Sequence, residues 1–188
     1  MAIAMHALSM LENNDVIYLP SATLGFFMAQ NLPENLKLRV VTNSVVMAEE
    51  LRKRDNVSVI MLGGEMDQKG HCYDAIAAGT IRRLRFDKCF LTSAAISADF
   101  GLSIQRTGAI DFWSALIGSA KQVIGLYPTE KIGFDSVVSI CPAEKLEVLI
   151  TDWEAAEKDL KAFDEKEIQV VVVERAEAEG RELQGTKN

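Results

Sequence analysis

Short apolar runs of strand length recur along the chain, and segments with the spacing of amphipathic helices separate them. The runs hold Val, Ile and Leu on consecutive positions, which is typical of strands that are buried on both faces. Strands that alternate with helices favour a parallel sheet, because each return to the sheet requires a crossover. We predict strands over residues 15–19, 37–42, 57–62, 88–92, 122–127, 146–151 and 168–173, and helices over residues 1–11, 23–31, 44–54, 74–84, 110–120 and 154–165.

The predicted fold class is α/β, with a mostly parallel sheet and helices on both of its faces. A chain of 188 residues, 48% of them hydrophobic, is long enough to bury one complete core. We expect one domain over residues 1–173. Residues 174–188 carry seven charges and almost no side chain that could pack, so we expect a frayed helix or a disordered tail there.

Charge and cysteine content exclude several classes of protein. The chain has 20 Lys and Arg residues against 27 Asp and Glu residues, a formal net charge of −7. Nucleic-acid binding needs a basic surface, and the dense basic stretch at residues 82–85 is explained as a solvated helix face. No apolar run reaches the ~20 residues of a membrane-spanning helix, and residues 1–11 do not form a signal peptide. Three widely spaced cysteines indicate neither disulfides nor a metal site. We expect a cytoplasmic protein without a cofactor.

Turns that carry a hydroxyl or a glycine follow four of the predicted strands. In a parallel sheet such turns meet at the carboxyl ends of the strands, where amide groups at helix N-termini favour anions. We expect a pocket for a phosphate or a polyol there, lined by Ser21, Ala22, Thr23, Asn43, Ser44, Gly63, Gly64, Ser93 and Ala94. Each residue also has a purely structural interpretation. Thr23, Asn43 and Ser44 are natural helix caps, the glycine pair is typical of a turn, and Ser93 can simply end a strand.

Six segments in a fixed order carry a resemblance to a known family: LRVVTNSVVMAEEL, VSVIMLGGEM, DKCFLTSAAIS, FGLS, EKIGFDS and LEVLITD. Together they resemble the C-terminal effector-sensing domain of DeoR-type bacterial transcriptional regulators, from about residue 3 to residue 173. The resemblance implies a fold of the ribose-5-phosphate isomerase and CoA-transferase type (NagB/RpiA-like) and a phosphorylated sugar as effector. It also implies a winged helix-turn-helix that precedes this domain, so we expect DNA contact only through that N-terminal part.

By the same resemblance, the first, second and fourth loops would line the effector pocket together with Lys131, which could supply the charge for a phosphate. A surface lysine in a turn explains Lys131 equally well. Several positions depart from the family pattern by losing an acid, a glycine or a cation: Pro20, Ala22, Leu24, Thr92, Ala95, Trp113 and Pro128. An added Cβ or a lost cation disfavours a phosphate. We therefore expect either an effector that differs from a usual sugar phosphate, being less anionic or carrying an aromatic group, or a domain that has lost its ability to bind a ligand. Core packing is the alternative explanation of Trp113.

Three functions are open from the sequence. The first is a ligand sensor that shifts between two arrangements of an oligomer, with residues 98–108 as the switching loop. The second is a sugar-phosphate isomerase or a CoA-transferase, in which Asp99, Glu130 or Glu65 would serve as base or nucleophile. Residues 92–95 lack the Asp-Gly-Ala-Asp loop of the isomerases, so we do not expect an enzyme. The third is an oligomerisation module that binds no small molecule. Self-association is expected for the first and third functions, because a two-fold regulator reads a two-fold operator.

Overall fold

The computed structural model describes residues 1–174, so the tail expected over residues 174–188 lies outside the described residues except for Glu174. The chain runs through α1 (Ala2–Ser9), β1 (Val16–Tyr18), α2 (Thr23–Gln30), β2 (Leu38–Thr42), α3 (Val45–Leu51), β3 (Val57–Met61), α4 (Ala75–Ile81), β4 (Phe86–Leu91), β5 (Ala95–Ser97), β6 (Gly101–Ile104), α5 (Ile110–Ser119), β7 (Ala120–Leu126), β8 (Val138–Cys141), β9 (Val148–Asp152), α6 (Glu157–Asp164) and β10 (Gln169–Val173). Short 3-10 turns lie at Thr107–Ala109, Thr129–Lys131 and Ala143–Lys145.

Seven strands form one sheet in the order β10-β9-β7-β4-β1-β2-β3, and each neighbouring pair is parallel. Ile17 of β1 lies opposite Val40 of β2 on one side and opposite Lys88 of β4 on the other. The seven strands predicted from the apolar runs are all present, and they are the seven strands of this sheet. The prediction of a mostly parallel α/β fold is therefore confirmed.

Two apolar layers cover the two faces of the sheet. On one face α1, α2 and α3 pack against the strands, with Met28 and Met47 fully buried. On the opposite face α4, α5 and α6 pack through side chains such as Leu116 and Phe163. Burial on both faces explains why the strand sequences are almost continuous apolar runs. The prediction of helices on both faces is confirmed.

The basic stretch at residues 82–85 requires a correction. Helix α4 ends at Ile81 and Arg82 is its C-cap, so the stretch leaves the helix and does not form one of its faces. The guanidinium of Arg85 donates a hydrogen bond of 2.7 Å to the carbonyl of Leu84. Cations at this position interact favourably with the carboxyl end of the helix dipole.

A second, antiparallel sheet in the order β5-β6-β8 was not predicted from the sequence. It packs Ile96 and Leu102 against the core that also holds α4 and α5. Gly101 has a φ of +79°, and a Cβ there would overlap the carbonyl oxygen of Cys141, so the pairing of β6 with β8 requires glycine. The switching loop expected over residues 98–108 is therefore wrong for residues 101–104, because these are buried in a hydrogen-bonded strand.

A buried ion pair ties β4 to the entrance of β1 at the amino edge of the large sheet. The ammonium of Lys88 lies 2.7 Å from Oδ2 of Asp15, and both residues are less than one tenth exposed. The same carboxylate oxygen accepts the backbone N–H of Glu12 at 2.8 Å. The ammonium of Lys88 also lies 3.5 Å from Oε1 of the exposed Glu12. Removal of Lys88 would leave the buried Asp15 carboxylate without a cation.

We predict that Lys88→Met lowers the free energy of unfolding by about 3–5 kcal/mol, because the buried Asp15 carboxyl would lose its cation. The double variant Lys88→Met, Asp15→Asn should recover a large part of that loss. Urea denaturation at neutral pH measures both values. Arg52→Gln is the matched control, because it breaks the exposed pair with Glu49 and should leave the unfolding midpoint unchanged. Equal losses in the single and double variants would contradict the prediction.

Candidate functional site

The ten residues predicted to contact a ligand all lie at the carboxyl edge of the large sheet. Residues 21–23 follow β1, residues 43–44 follow β2, residues 63–64 follow β3, residues 93–94 follow β4, and Lys131 follows β7. Since β7, β4, β1, β2 and β3 are successive neighbours, the loops stand side by side. This is the edge at which parallel α/β sheets bind ligands.

A cavity of about 640 Å³ opens at this edge. Its walls come from the segment between β3 and α4, the turn after β4, and the segment that leads from β6 into α5. The lining consists of Asp67, Gln68, Lys69, His71, Tyr73, Ala94, Ile104, Gln105, Arg106, Ala109 and Trp113. A second cavity of about 340 Å³ shares five of these residues and adds Glu65, Met66, Asp74 and Gly108. The volumes suit a small metabolite.

Among the predicted ligand residues, Ala94 is the member that lines the larger cavity. Ser21 and Asn43 instead support its wall. The Ser21 hydroxyl lies 3.1 Å from the Tyr73 hydroxyl. The buried Asn43 amide accepts a hydrogen bond from Tyr18 at 3.0 Å and donates one of 3.2 Å to the carbonyl of Cys72. These bonds fix the segment that precedes α4, so both side chains act on the cavity through Cys72 and Tyr73.

The other hydroxyl and glycine positions have structural roles. Ser44 caps α3, because its hydroxyl accepts the N–H of Met47 at 3.4 Å. This confirms the interpretation of Ser44 as a helix cap. The cap interpretation of Thr23 is wrong, because Ala22 is the N-cap of α2 and Thr23 is the first helical residue. The cap interpretation of Asn43 is also wrong, because its amide makes the two bonds described above.

The glycine pair Gly63 and Gly64 leads the chain out of β3 and into the wall of the cavities. Gly64 has a φ of +139°, and a Cβ there would overlap the Asp74 carboxylate. That carboxylate accepts the N–H of Glu65 at 2.8 Å and the N–H of Ala77 at 3.0 Å, and these backbone bonds hold the pKa of Asp74 below its usual value. The structure therefore confirms the interpretation of Gly63 and Gly64 as a tight turn.

Lys131 lies at the end of β7, outside the lining of both cavities. Its ammonium donates a hydrogen bond of 3.2 Å to the Thr92 hydroxyl at the end of β4. Burial lowers the pKa of Lys131 from its ordinary value. It is a half-buried cation beside the turn that carries Ser93 and Ala94.

Two cations that the sequence did not single out, Lys69 and Arg106, line the larger cavity. They come from different segments, and neither makes an ion pair or a side-chain hydrogen bond within residues 1–174. The carboxylate in the same lining is Asp67, whose Oδ1 accepts the N–H groups of His71 and Lys69, both at 2.9 Å. These two bonds, the first above all, and the charges of His71 and Arg106 lower the pKa of Asp67.

Aromatic side chains connect the cavity wall to the core. Tyr73 and Trp113 line the cavity, and Phe112 lies behind them with edge-to-face centroid distances of 5.0 Å to Tyr73 and 6.1 Å to Trp113. Trp113 is 9% exposed. The core-packing explanation of Trp113 is therefore confirmed, and the same indole also borders the cavity. The lining therefore offers both cations and aromatic rings to one small molecule.

Comparison with known proteins identifies the family. Residues 1–153 match the family described as the DeoR C terminal sensor domain. The chain belongs to this family. The HTH-type transcriptional regulator GolR of Listeria innocua is 27% identical over 174 residues, which cover 92% of this chain and 68% of that protein. The L-fucose operon activator of Escherichia coli is 26% identical over 151 residues, which cover 80% of this chain and 62% of that protein.

The family match confirms the resemblance found in the sequence, and the relatives of this sensor domain are transcriptional regulators. The sensor domain spans about two thirds of the length of those regulators. Among solved structures, eIF2B beta from Chaetomium thermophilum superposes with a TM-score of 0.54 at 17% identity, over 79% of this chain and 46% of that one. That likeness shows the fold, which is the type that the resemblance implied.

Within residues 1–174, every helix is too short or too polar to cross a lipid bilayer. The same residues hold no cluster of three or more His, Cys, Asp and Glu side chains that could bind a metal ion.

A buried hydroxyl pair positions the turn that contributes Ala94 to the cavity of the sensor domain. The Tyr127 hydroxyl lies 2.7 Å from the Ser93 hydroxyl and accepts the backbone N–H of Ser93 at 3.2 Å. The Ser93 hydroxyl donates to the carbonyl of Ala95 at 2.9 Å. Burial raises the pKa of Tyr127, so its hydroxyl stays protonated and can serve both partners.

We predict that Tyr127→Phe lowers the free energy of unfolding by about 1–3 kcal/mol, because the buried N–H of Ser93 would lose its acceptor. Chemical denaturation followed by circular dichroism measures the loss. Tyr73→Phe is the matched control, since its hydroxyl bonds the half-buried Ser21 where water can replace it. A loss for Tyr127→Phe no greater than for Tyr73→Phe would show that the hydroxyl pair does not hold the turn.

Proposed function

We propose that this sensor domain binds a small anionic metabolite of the phosphorylated-sugar class in the larger cavity at the carboxyl edge of the sheet. The observation that carries the proposal is the lining of that cavity, where Lys69 and Arg106 stand against a single carboxylate. The chain as a whole has a net charge of −7. Two cations that form no ion pair with the described part of the chain, in one concave site of an acidic protein, favour an anionic ligand.

The residues predicted from the sequence divide into roles around this site. Ala94 contacts the ligand directly in our proposal. Ser21, Asn43 and Ser93 position the walls through Tyr73, Cys72 and Tyr127, respectively. The remaining positions shape the loops on which these residues stand: Ala22, Thr23, Ser44, Gly63, Gly64 and Lys131. No cofactor is required by this account.

The proposed action of the domain is regulatory. A ligand that binds one arrangement of an oligomer more tightly than another shifts the population between them. In our proposal that shift changes the DNA affinity of a helix-turn-helix domain N-terminal to this one. The regulator acts in the cytoplasm as a homo-oligomer, because a symmetric operator is read by a symmetric protein. The relatives named as HTH-type or operon regulators support this role.

The placement of the carboxylates favours a sensor over an enzyme. The candidate bases Asp99 and Glu130 line neither cavity, and Glu65 lines the smaller one. Asp67 lines the larger cavity, but two backbone N–H groups on its Oδ1 hold its pKa below the ordinary value. A lowered pKa makes the carboxylate a weak base for taking a proton from carbon, as isomerisation requires. We therefore propose that the domain binds its ligand without chemical change.

We predict that at least one phosphorylated sugar raises the melting temperature of the domain and that the corresponding free sugar does not. A ligand at 100 times its dissociation constant adds about 2.7 kcal/mol of stability, a shift of roughly 2–4 °C for a domain of this size. Differential scanning fluorimetry with matched pairs of sugar and sugar phosphate measures the shift. Chromatography of the recovered ligand should show it unchanged.

The location of the site is tested with Ala94→Phe, which fills the cavity from an exposed position and should abolish the shift. Ala156→Phe adds the same volume at an exposed position outside both cavities and should retain the shift. A panel of sugar phosphates that leaves the melting temperature unchanged would contradict the proposal. So would a shift that survives Ala94→Phe.

A further inference from the structure

The cavity lining holds two cations, two large aromatic side chains and one carboxylate. Lys69 and Arg106 supply the cations, and Trp113 and Tyr73 supply the rings. The carboxylate oxygen that can accept from a ligand is Oδ2 of Asp67, because Oδ1 takes both backbone hydrogen bonds and Oδ2 receives none from residues 1–174. A ligand that satisfies all three features needs an anionic group, a face that can pack on an aromatic ring, and a hydroxyl that can donate.

We propose that the sensor recognises its sugar phosphate as a closed ring, with the phosphate held by Arg106 and Lys69 and the ring lying against Trp113 and Tyr73. This inference rests on the proposed function and adds to it the form of the ligand and the residues that select it. A ring hydroxyl donates to the free oxygen of Asp67. The open-chain form of the same sugar makes less contact with the rings of Trp113 and Tyr73.

The physical basis of this selectivity is contact area on a rigid surface. The C–H groups of a pyranose or furanose ring form a flat apolar face that can pack on an indole or a phenol. Phe112 supports both aromatic side chains from behind, at 5.0 Å from Tyr73 and 6.1 Å from Trp113, so the surface is fixed before the ligand arrives. A flexible chain of equal charge would have to lose torsional freedom to make the same contacts.

The position of Asp67 also restricts the ligand. Its lowered pKa keeps the carboxylate charged at neutral pH, so the ligand must direct its own negative charge elsewhere. Arg106 and Lys69 can bind that negative charge, since both line the same cavity and neither is neutralised by an ion pair within residues 1–174. Hydroxyls therefore face Asp67 and the phosphate faces the two cations.

The chain provides its own reporter for a test. It has two tryptophans, of which Trp113 borders the cavity and Trp153 is 44% exposed elsewhere. In Trp153→Phe the fluorescence comes from Trp113 alone. This protein is titrated with glucose 6-phosphate, galactose 6-phosphate and fructose 6-phosphate, each beside the hexitol 6-phosphate obtained by reducing it. The reduced partner has the same charge and cannot close a ring.

We expect a ring-forming sugar phosphate to change the Trp113 emission and to bind at least tenfold more tightly than its hexitol phosphate. In the same background, Arg106→Gln and Lys69→Gln should each weaken binding about tenfold, a loss of about 1.4 kcal/mol. Lys158→Gln is the matched control, because it removes an exposed lysine of α6 that lines neither cavity. Its dissociation constant should stay within about twofold of the parent value.

Two results would overturn the inference while the proposed function stands. One is equal affinity for the sugar phosphate and its hexitol phosphate. The other is a sugar phosphate that raises the melting temperature but leaves the Trp113 emission unchanged. Binding that survives both Arg106→Gln and Lys69→Gln would contradict the proposed function as well, because these two cations carry it. Failure of the proposed function itself is recognised separately, because then no sugar phosphate in the panel raises the melting temperature of the unmodified protein.

Discussion

The parallel pairing of seven strands determines where this protein can hold a ligand. Each crossover returns the chain to the same end of the sheet, so the loops after β7, β4, β1, β2 and β3 all lie at the carboxyl edge. With helices packed on both faces, the edge is the place where polar backbone groups and side chains can meet a small molecule. The Lys88–Asp15 pair at the opposite, amino edge ties β4, whose following turn carries Ala94, to the entrance of β1.

Most of this architecture follows from local patterns in the sequence. The seven parallel strands were predictable because each holds a run of apolar residues, and burial on two faces explains such a run in β9, where residues 148–150 are all buried. The second sheet was not, because β5, β6 and β8 are three or four residues long and contain Ser or Gly. Their pairing depends on a close approach of Gly101 to Cys141, forty residues later in the chain, which no local pattern reveals.

The candidate site, too, was predictable in part. The edge of the sheet was predictable, and Ala94 was placed in the cavity by reasoning from loops alone. Several predicted hydroxyls and amides, such as Ser44 and Asn43, proved to be committed to neighbouring backbone or side-chain groups. Lys69 and Arg106 were missed because they stand on irregular segments whose meeting depends on the unpredicted sheet. A Lys and an Arg in two loops are indistinguishable from solvated charges until the fold brings them together.

We propose that a sugar phosphate occupies the cavity between the β3–α4 segment and the β6–α5 segment. Hydrogen–deuterium exchange on the intact protein, with and without a stabilising sugar phosphate, tests this proposal most directly. A ligand in this cavity should slow exchange in residues 64–73 and 104–109, with little change in residues 1–15 or 157–173. Protection confined to other parts of the chain, with both segments unaffected, would contradict it.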